Sequence, residues 1–258
     1  MSESPASSSE TKIKLYWLEK SRAQRILWLL EELKVPYEIE TFKRTKDMLA
    51  PPELKEVHPL GKSPLITINA PGLSQPMVLA ESGHIVEYLT EHFGTWLAPK
   101  QWQEGKEGQI GGETEEWLRH RFYMHYTEGS LMIYLVMALV VKNIENAPVP
   151  FFIRPITNRI ADKINSGFLQ PNFKSSFSFL EEQIGSSPND GEYLCGKELT
   201  GADIMMSFPL MASKGRAGLK QETHPKLWAY LKKLEGREAY KRAVDKIVEL
   251  EGSYDPTN

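Results

Sequence analysis

The seven residues from His58 to Pro64 combine two prolines, a glycine and a lysine in one short loop. Pro64 precedes the apolar, partly β-branched run from Leu65 to Ile68, so it stands at the entrance of a predicted strand, where a missing N–H is tolerated. A cis peptide bond before Pro64 would turn the N–H and C=O of Ser63 outward, where an extended peptide could pair with them as an added strand. The loop therefore predicts a peptide-binding site, and an ordinary turn before a strand is the alternative.

This loop lies inside a segment in which strand and helix patterns alternate. Apolar and polar residues alternate from Ile13 to Trp17, as in a strand, and apolar residues then recur at helical spacing from Ala23 to Leu33. Ser21 stands where a helix N-cap belongs, and Pro36 closes that helix. Further strands are predicted at 37–42, 65–68 and 77–80, with a short helix at 52–57 and a longer one after residue 82. The order βαβα-ββα indicates one α/β unit.

The remainder of the chain is predicted to be helical. Residues 99–112 are polar and rich in glycine, as in a linker between domains. Beyond them, the spacing of apolar residues predicts a series of helices, and Thr200 with Asp203 forms a capping signal at the start of one of them. The predicted division is a tail at 1–11, an α/β domain at 12–98, the linker at 99–112 and an all-α bundle at 113–258.

Composition limits the classes of function. The chain carries 31 basic and 34 acidic side chains, for a net charge of −3, so nucleic acid is not an expected partner. The single cysteine, Cys195, excludes an internal disulfide and suits a reducing compartment. The longest apolar run, Leu131 to Val141, falls well short of the roughly 20 residues of a transmembrane helix and indicates a core helix. The Ser-rich, acidic start lacks the features of a signal peptide, which favours a disordered tail and a cytoplasmic protein.

Four motifs in a fixed order resemble those of the cytosolic glutathione S-transferases, and most closely the fungal and bacterial branch related to the yeast enzymes. They are Tyr16 to Arg25, Pro51 to Leu54, the loop His58 to Pro64, and Leu79 to Gly83, followed by the capping signal at Thr200. The resemblance covers nearly the whole chain. It implies a thioredoxin-like α/β domain followed by an all-α bundle, and a cytoplasmic homodimer that uses glutathione as co-substrate without a metal or redox cofactor.

The resemblance also implies which residues bind glutathione, an extended anionic tripeptide with a free amino group. The backbone of Ser63, before Pro64, would pair with the cysteinyl residue, and Lys62 would meet the glycyl carboxylate. Ser82, at a helix N-terminus, would bind the γ-glutamyl carboxylate, and Glu81 would take the amino group. The alternatives are a solvated lysine at position 62 and plain helix capping at positions 81 and 82.

Catalysis in this family requires a thiolate. The thiol of free cysteine has a pKa near 8.5, so lowering it by about two units corresponds to roughly 2.7 kcal/mol of preferential stabilisation of the anion. Serine-type members use a hydroxyl at the start of the first helix, which points to Ser21 as the donor to the sulfur, aided by the helix dipole. Tyr16 competes, because tyrosine-type members carry their hydroxyl near the end of the first strand. A simple N-cap and an ordinary strand aromatic are the respective alternatives.

Several other positions could complete the site. Arg22 and Arg25 lie in the first turn of a helix, where the dipole disfavours cations, so they could orient glutathione or a partner subunit as well as face solvent. His58 is a further candidate at the rim of the site. The pocket for the electrophile is expected between the two domains, near Leu18 of the first and Tyr126 of the second.

These residues predict a glutathione S-transferase that joins the thiolate of glutathione to a hydrophobic electrophile, or reduces a hydroperoxide. No metal site is expected, because His120 and His125 are five residues apart and therefore lie on different helix faces. Two alternatives remain open. One is a non-catalytic regulatory or assembly module that keeps the fold, and the other is a dedicated biosynthetic or isomerising enzyme that uses the same thiolate.

Overall fold

The computed structural model of this chain describes residues 11–255. Contacts divide these residues into two compact units. The first unit holds the residues up to Ala98 together with the segment Glu235–Tyr254, and the second holds Pro99–Leu234. The tail predicted at 1–11 lies outside the described residues, apart from Thr11.

The first unit is built on a four-stranded mixed sheet with the strand order β2-β1-β3-β4. The strands are β1 (Lys12–Leu18), β2 (Tyr37–Phe42), β3 (Leu65–Asn69) and β4 (Met77–Ala80). β1 runs parallel to β2, with Ile13 opposite Tyr37, and antiparallel to β3, with Leu15 opposite Ile66. A parallel pair needs a crossover connection, which here is the helix α1 (Ala23–Leu33) predicted from the sequence.

Two further helices complete the α/β unit before residue 98. The helix α2 (Leu54–Val57) precedes the binding loop, and α3 (Ser82–Phe93) follows directly on β4. Strand β1 alternates as the sequence predicted, because Ile13, Leu15 and Trp17 are buried. The sheet therefore has one face against the core and carries the binding loop at the entrance of β3.

The last helix, α10 (Glu238–Glu251), belongs to the first unit, although the sequence division placed all of 113–258 in the bundle. Its Tyr240 meets Trp28 of α1 edge to face, with ring centroids 5.2 Å apart. Arg242 of α10 donates to Glu31 of α1 at 2.7 Å. Helical periodicity indicates that such a helix has a buried face, but it does not indicate which element covers that face.

All regular elements described in the second unit are helical, which together with the mixed sheet confirms the predicted fold class. The helices are α4 (Glu115–Tyr126), α5 (Met132–Glu145), α6 (Arg154–Ile164), α7 (Gln170–Gly185), α8 (Gly201–Arg216) and α9 (Pro225–Glu235). π-helical turns at Thr127–Leu131 and Asn165–Leu169 join α4 to α5 and α6 to α7. Each π-helical turn therefore joins two α-helices into one longer helix.

The continuous helix from Glu115 to Glu145 departs from the sequence expectation of a core helix. On one side of α5, Ile133, Val136 and Val140 are about half exposed. Apolar residues occur on both sides of α5, so their spacing could not identify the buried side. Among residues 11–255, this is the one helix with the length and apolar content that could cross a membrane, and core helices of soluble proteins meet the same two criteria.

Candidate functional site

A cavity of about 250 Å³ lies in the first unit between the binding loop and the start of α3. Its lining joins cationic, hydroxyl and apolar groups with one carboxylate. The lining residues are Arg22, His58, Leu60, Lys62, Ser63, Pro64, Leu65, Ala80, Glu81 and Ser82. The structure therefore brings together seven of the positions singled out in the sequence: 22, 58, 62, 63, 64, 81 and 82.

The loop that forms one wall of the cavity depends on a glycine. The N–H of Gly61 donates to the carbonyl of His58 at 2.8 Å, and Gly61 has a φ of +55°. A Cβ added at this position would come within 2.7 Å of the Lys55 side chain. Glycine therefore satisfies both the backbone angle and the close approach. The resulting turn leaves Lys62 exposed beside the cavity, whereas Pro64 is buried.

Ser63 presents both backbone and hydroxyl groups at this wall. Its peptide bond to Pro64 is cis, the form that the sequence analysis considered. Its hydroxyl donates to the carbonyl of Tyr16 at 3.3 Å and lies 3.4 Å from the hydroxyl of Ser21. The backbone N–H of Ser63 has no acceptor within the part of the chain that the structure describes. It remains available to a ligand in the cavity.

The opposite wall is the start of α3. Glu81 has a φ of +70° and a ψ of 121°, which is unusual for a residue with a Cβ, and such conformations cluster at functional sites. This backbone directs the chain from β4 into the helix, so that Ser82 is buried to 5% exposure at the first helical position while Glu81 stays exposed. No side chain caps α3. Its N-terminal N–H groups and dipole favour an anion here.

Ser21 lies beside the cavity but does not line it. The helix α1 begins at Ala23 with Arg22 as its N-cap, one residue later than predicted, and Ser21 is 7% exposed. The Ser21 hydroxyl accepts from the N–H of Ala23 at 3.2 Å, so it still serves the helix end. Its proton is free to point toward the hydroxyl of Ser63 or toward a group placed in the cavity.

Tyr16 is held within the sheet. Its hydroxyl lies 3.5 Å from that of Thr67 on β3, and its ring packs near Phe42 with centroids 6.3 Å apart. Leu18, on the same face of β1, is buried in a small cluster with Leu54 and Leu65. Neither side chain lines the cavity. The carbonyl of Tyr16 accepts a hydrogen bond from Ser63, which does line it.

Tyr126, the bundle residue predicted for the electrophile pocket, packs among aromatic side chains of its own unit. Its ring stacks on Phe122 at 5.3 Å and meets Phe179 at 5.7 Å. Burial raises the pKa of the Tyr126 hydroxyl, and a hydrogen bond with Ser176 opposes this shift. These contacts describe a packed helix surface, and the pocket between the domains stays a prediction.

A larger groove of about 700 Å³ occurs elsewhere in the first unit, against β2 and α10. Four of its five charged side chains are already paired: Arg242 with Glu31 at 2.7 Å and Lys246 with Glu249 at 2.8 Å. The loop cavity differs, because it offers N–H and hydroxyl groups together with an uncapped helix end. We therefore place the candidate site in the loop cavity, despite its smaller volume.

Two features of the site were not predicted from the sequence. The hydroxyl of Ser63 links Ser21 to the Tyr16 carbonyl, whereas only the backbone of Ser63 was considered. Arg25, considered a surface residue or an orienting group, is fully buried and donates to the Ser82 hydroxyl at 3.3 Å. No local signal marked Arg25, because its burial depends on how α1 lies against α3.

Comparisons with known proteins match most of this chain to named family models and relatives. The family models "Glutathione S-transferase, N-terminal domain" and "Glutathione S-transferase, C-terminal domain" match residues 21–92 and 150–242. Glutathione S-transferase 1 of Saccharomyces cerevisiae is 35% identical over 242 residues, which cover 94% of this chain and 98% of the relative. Glutathione S-transferase 3 of Schizosaccharomyces pombe is 30% identical over 235 residues, which cover 91% of this chain and 88% of the relative.

A solved structure of similar fold comes from Phanerochaete chrysosporium. It is a glutathione transferase with oxidized glutathione, and it superimposes with a TM-score of 0.66 at 19% identity, covering 95% of this chain and 99% of its own. At that identity the likeness concerns the fold. The N-terminal family model spans both walls of the loop cavity, since it includes the binding loop and the start of α3.

Proposed function

This chain belongs to the glutathione S-transferase family, and from that premise we propose that glutathione binds in the loop cavity of the first unit. The curated relatives are transferases, which confirms the predicted enzyme class. The proposal concerns the residues that hold the tripeptide, the group that activates its thiol and the partner molecules.

One observation carries the proposal: a single cavity combines the free N–H of Ser63, the ammonium group of Lys62 and the uncapped start of α3 at Ser82. An extended tripeptide with two carboxylates needs a backbone partner, a cation for one carboxylate and donors for the other, and these groups supply all three. We propose that Ser63 pairs with the cysteinyl backbone, Lys62 with the glycyl carboxylate and Ser82 with the γ-glutamyl carboxylate. Glu81, exposed at the rim, would take the amino group.

We further propose that Ser21 activates the thiol. The Ser63 hydroxyl, 3.4 Å from that of Ser21, marks the wall where the cysteinyl residue would lie. Ser21 also sits at the N-terminal end of α1, where the dipole favours a thiolate. Tyr16 is a weaker candidate, because its hydroxyl faces Thr67 in the sheet. Lowering the thiol pKa by about two units requires roughly 2.7 kcal/mol, which one hydroxyl donor in a water-poor site can supply.

Two measurements test this assignment: calorimetric titration with glutathione, and turnover of a chloro-aromatic electrophile. We expect Ser21→Ala to bind glutathione normally, to lose the ultraviolet absorbance of the bound thiolate and to lower kcat by about 100-fold. Tyr16→Phe should stay close to wild type. Ser74→Ala, at an exposed serine between β3 and β4, is the matched control.

Other results would point elsewhere. If Ser21→Ala keeps the thiolate absorbance, Tyr16 or an ordered water activates the sulfur. Glutathione binding without turnover of any electrophile would indicate a non-catalytic module. Binding with turnover of one special substrate would indicate a dedicated biosynthetic or isomerising enzyme. Failure to bind glutathione at millimolar concentration would remove the proposal as a whole.

The remaining proposals concern partners and location. We propose a hydrophobic electrophile or a hydroperoxide as second substrate, bound near Leu18 and Tyr126, and a homodimer as the working form. Neither proposed pocket residue lines the loop cavity, so the second substrate would bind next to that cavity, within reach of the thiolate, and not inside it. A cytoplasmic location remains the prediction from the lone, buried Cys195 and the composition of the chain. Size-exclusion chromatography with light scattering tests the dimer.

A further inference from the structure

Arg25 is a fully buried cation directly behind the candidate site. It lies in the first turn of α1, and its Nη1 donates to the hydroxyl of Ser82 at 3.3 Å. A guanidinium keeps its charge under all ordinary conditions, and removing it from water is costly. The first turn of a helix is also the end at which the dipole disfavours a cation. A buried arginine at this end of a helix is therefore unusual, and its hydrogen bond to Ser82 connects it to the candidate site.

The hydrogen bond from Arg25 to Ser82 restricts the direction in which the hydroxyl proton of Ser82 can point. A guanidinium has N–H donors and no acceptor, so the oxygen of Ser82 must accept from Arg25. The serine proton then cannot point at Arg25. No acceptor for that proton occurs within residues 11–255, and Ser82 lines the loop cavity. The hydroxyl is thereby held as a donor toward whatever occupies the cavity.

We propose that Arg25 is a positioning residue for the carboxylate end of the bound tripeptide, an inference that rests on the proposed function. It orients the Ser82 hydroxyl as a donor, and it adds a permanent positive charge behind the uncapped start of α3. A carboxylate at that point meets a fixed donor, free helix N–H groups and a buried cation together. Arg25 itself does not touch the ligand, since it does not line the cavity.

The test compares two ligands that differ by one carboxylate. Glutathione is titrated beside 4-aminobutyryl-cysteinyl-glycine, which lacks only the α-carboxylate of the γ-glutamyl residue. We expect wild type to prefer glutathione by at least about 10-fold. Arg25→Met should weaken glutathione binding by about 10-fold or more and leave the affinity for the shortened ligand unchanged, which abolishes the preference. It should raise KM for glutathione and leave kcat at saturation near wild type.

Two further variants separate orientation from packing. Arg25→Lys keeps a charge but loses the planar fork, so we expect it to restore only part of the preference. Adding Arg25→Met to Ser82→Ala should cost less than Arg25→Met alone, because the hydroxyl that Arg25 orients is already gone. Arg159→Met, at an exposed arginine of α6, is the matched control.

The possible failures are distinguishable. If wild type binds neither ligand, the proposed function fails. If wild type binds glutathione but Arg25→Met weakens both ligands equally, or affects only thermal stability, Arg25 is a packing residue and the inference is wrong. Should Arg25→Met not fold, Ser82→Ala with Arg25 intact must still lose the preference for glutathione. Retention of the preference in Ser82→Ala would overturn the inference.

Discussion

Two helix starts in this molecule use similar residues for opposite purposes. At the start of α8, Asp203 accepts from the N–H and hydroxyl of Thr200, each at 2.8 Å, from the N–H of Leu194 at 3.0 Å and from the hydroxyl of Tyr230 at 2.8 Å. At the start of α3, no side chain caps the helix and Ser82 faces a cavity. At the start of α8 the donors are hydrogen-bonded within the protein, whereas at the start of α3 donors remain for a ligand.

The difference teaches how a helix N-terminus can be recognised as a site. The sequence predicts a capping signal at Thr200 and Asp203, whereas at Glu81 and Ser82 it left plain helix capping as the alternative to glutathione binding. Asp203 is fully buried, and burial raises the pKa of its carboxyl while the hydrogen bonds from Leu194, Thr200 and Tyr230 lower it. Ser82, which is 5% exposed, is also buried, but its hydroxyl proton has no acceptor among residues 11–255. Unused donors, rather than burial or residue type, distinguish the helix end that we propose as the binding end.

The largest expected effect is the fall in stability when Asp203 is removed. Asp203→Ala leaves four donors without their acceptor inside the bundle, so we expect the free energy of unfolding to fall by about 3–5 kcal/mol. Urea denaturation followed by circular dichroism measures this change. The folded fraction should still bind glutathione with wild-type affinity. Glu198→Ala, at an exposed carboxylate nearby, is the control and should change stability by less than about 0.5 kcal/mol.

A loss below about 1 kcal/mol in Asp203→Ala would mean that the saturated start of α8 is not a structural device. Weaker glutathione binding by the folded variant would mean that the two helix starts are not separate in function.

A second prediction concerns His120, a buried side chain of α4. Burial lowers the pKa of His120 to about 4, and the charge of Arg121 adds to this effect. The unfolded chain, with an ordinary histidine pKa near 6.5, binds the proton first as the pH falls. Above pH 6.5, His120 is neutral in both states and does not lower the free energy of unfolding. As the pH falls from 6.5 to 4, we expect His120 to lower the free energy of unfolding by up to about 3 kcal/mol.

Urea denaturation at several pH values, compared with His120→Gln, measures this contribution. The variant should lose less stability between pH 6.5 and 4 than wild type does. His125→Gln, at an exposed histidine of the same helix, is the control and should keep the wild-type pH dependence. Parallel curves for wild type and His120→Gln would show that this histidine titrates normally in the folded protein.

The smallest effect belongs to Lys62, which is exposed at the rim of the cavity. Because solvent screens an exposed ion pair, we expect Lys62→Gln to weaken glutathione binding by about 0.5–1 kcal/mol, or roughly two- to fivefold. The dependence of binding on salt should also become less steep. Lys43→Gln, at an exposed lysine outside the cavity, is the control. An unchanged salt dependence in Lys62→Gln would remove the lysine from the site.

The elements that the sequence predicted well are those set by local chemistry. The crossover helix α1 followed from its apolar spacing, and the strand β3 followed from the proline and β-branched run at its entrance. The loop from His58 to Pro64 was found because proline and glycine constrain the backbone directly. These features depend on a few neighbouring residues, so one sequence is enough to predict them.

What the sequence could not predict depends on contacts between distant residues. The docking of α10 on α1 rests on the pair Trp28 and Tyr240, which are more than 200 residues apart in the chain. The burial of Arg25 beneath Ser82 depends on how α1 lies against α3. The half-exposed side of α5 could not be assigned, because apolar residues occur all around that helix. Periodicity describes one element at a time and does not identify its neighbours.

The protein leaves donors free at the start of α3 and in the binding loop, and we propose that glutathione accepts hydrogen bonds from them. Titration of isotopically labelled protein with glutathione, followed by amide NMR spectra, tests it most directly. We expect saturable shifts at the amides of Ser63 and Ser82, with those of Thr200 and Asp203 unmoved. Saturable shifts at Thr200 and Asp203 without any at Ser63 and Ser82, or no saturable shifts at all, would contradict it.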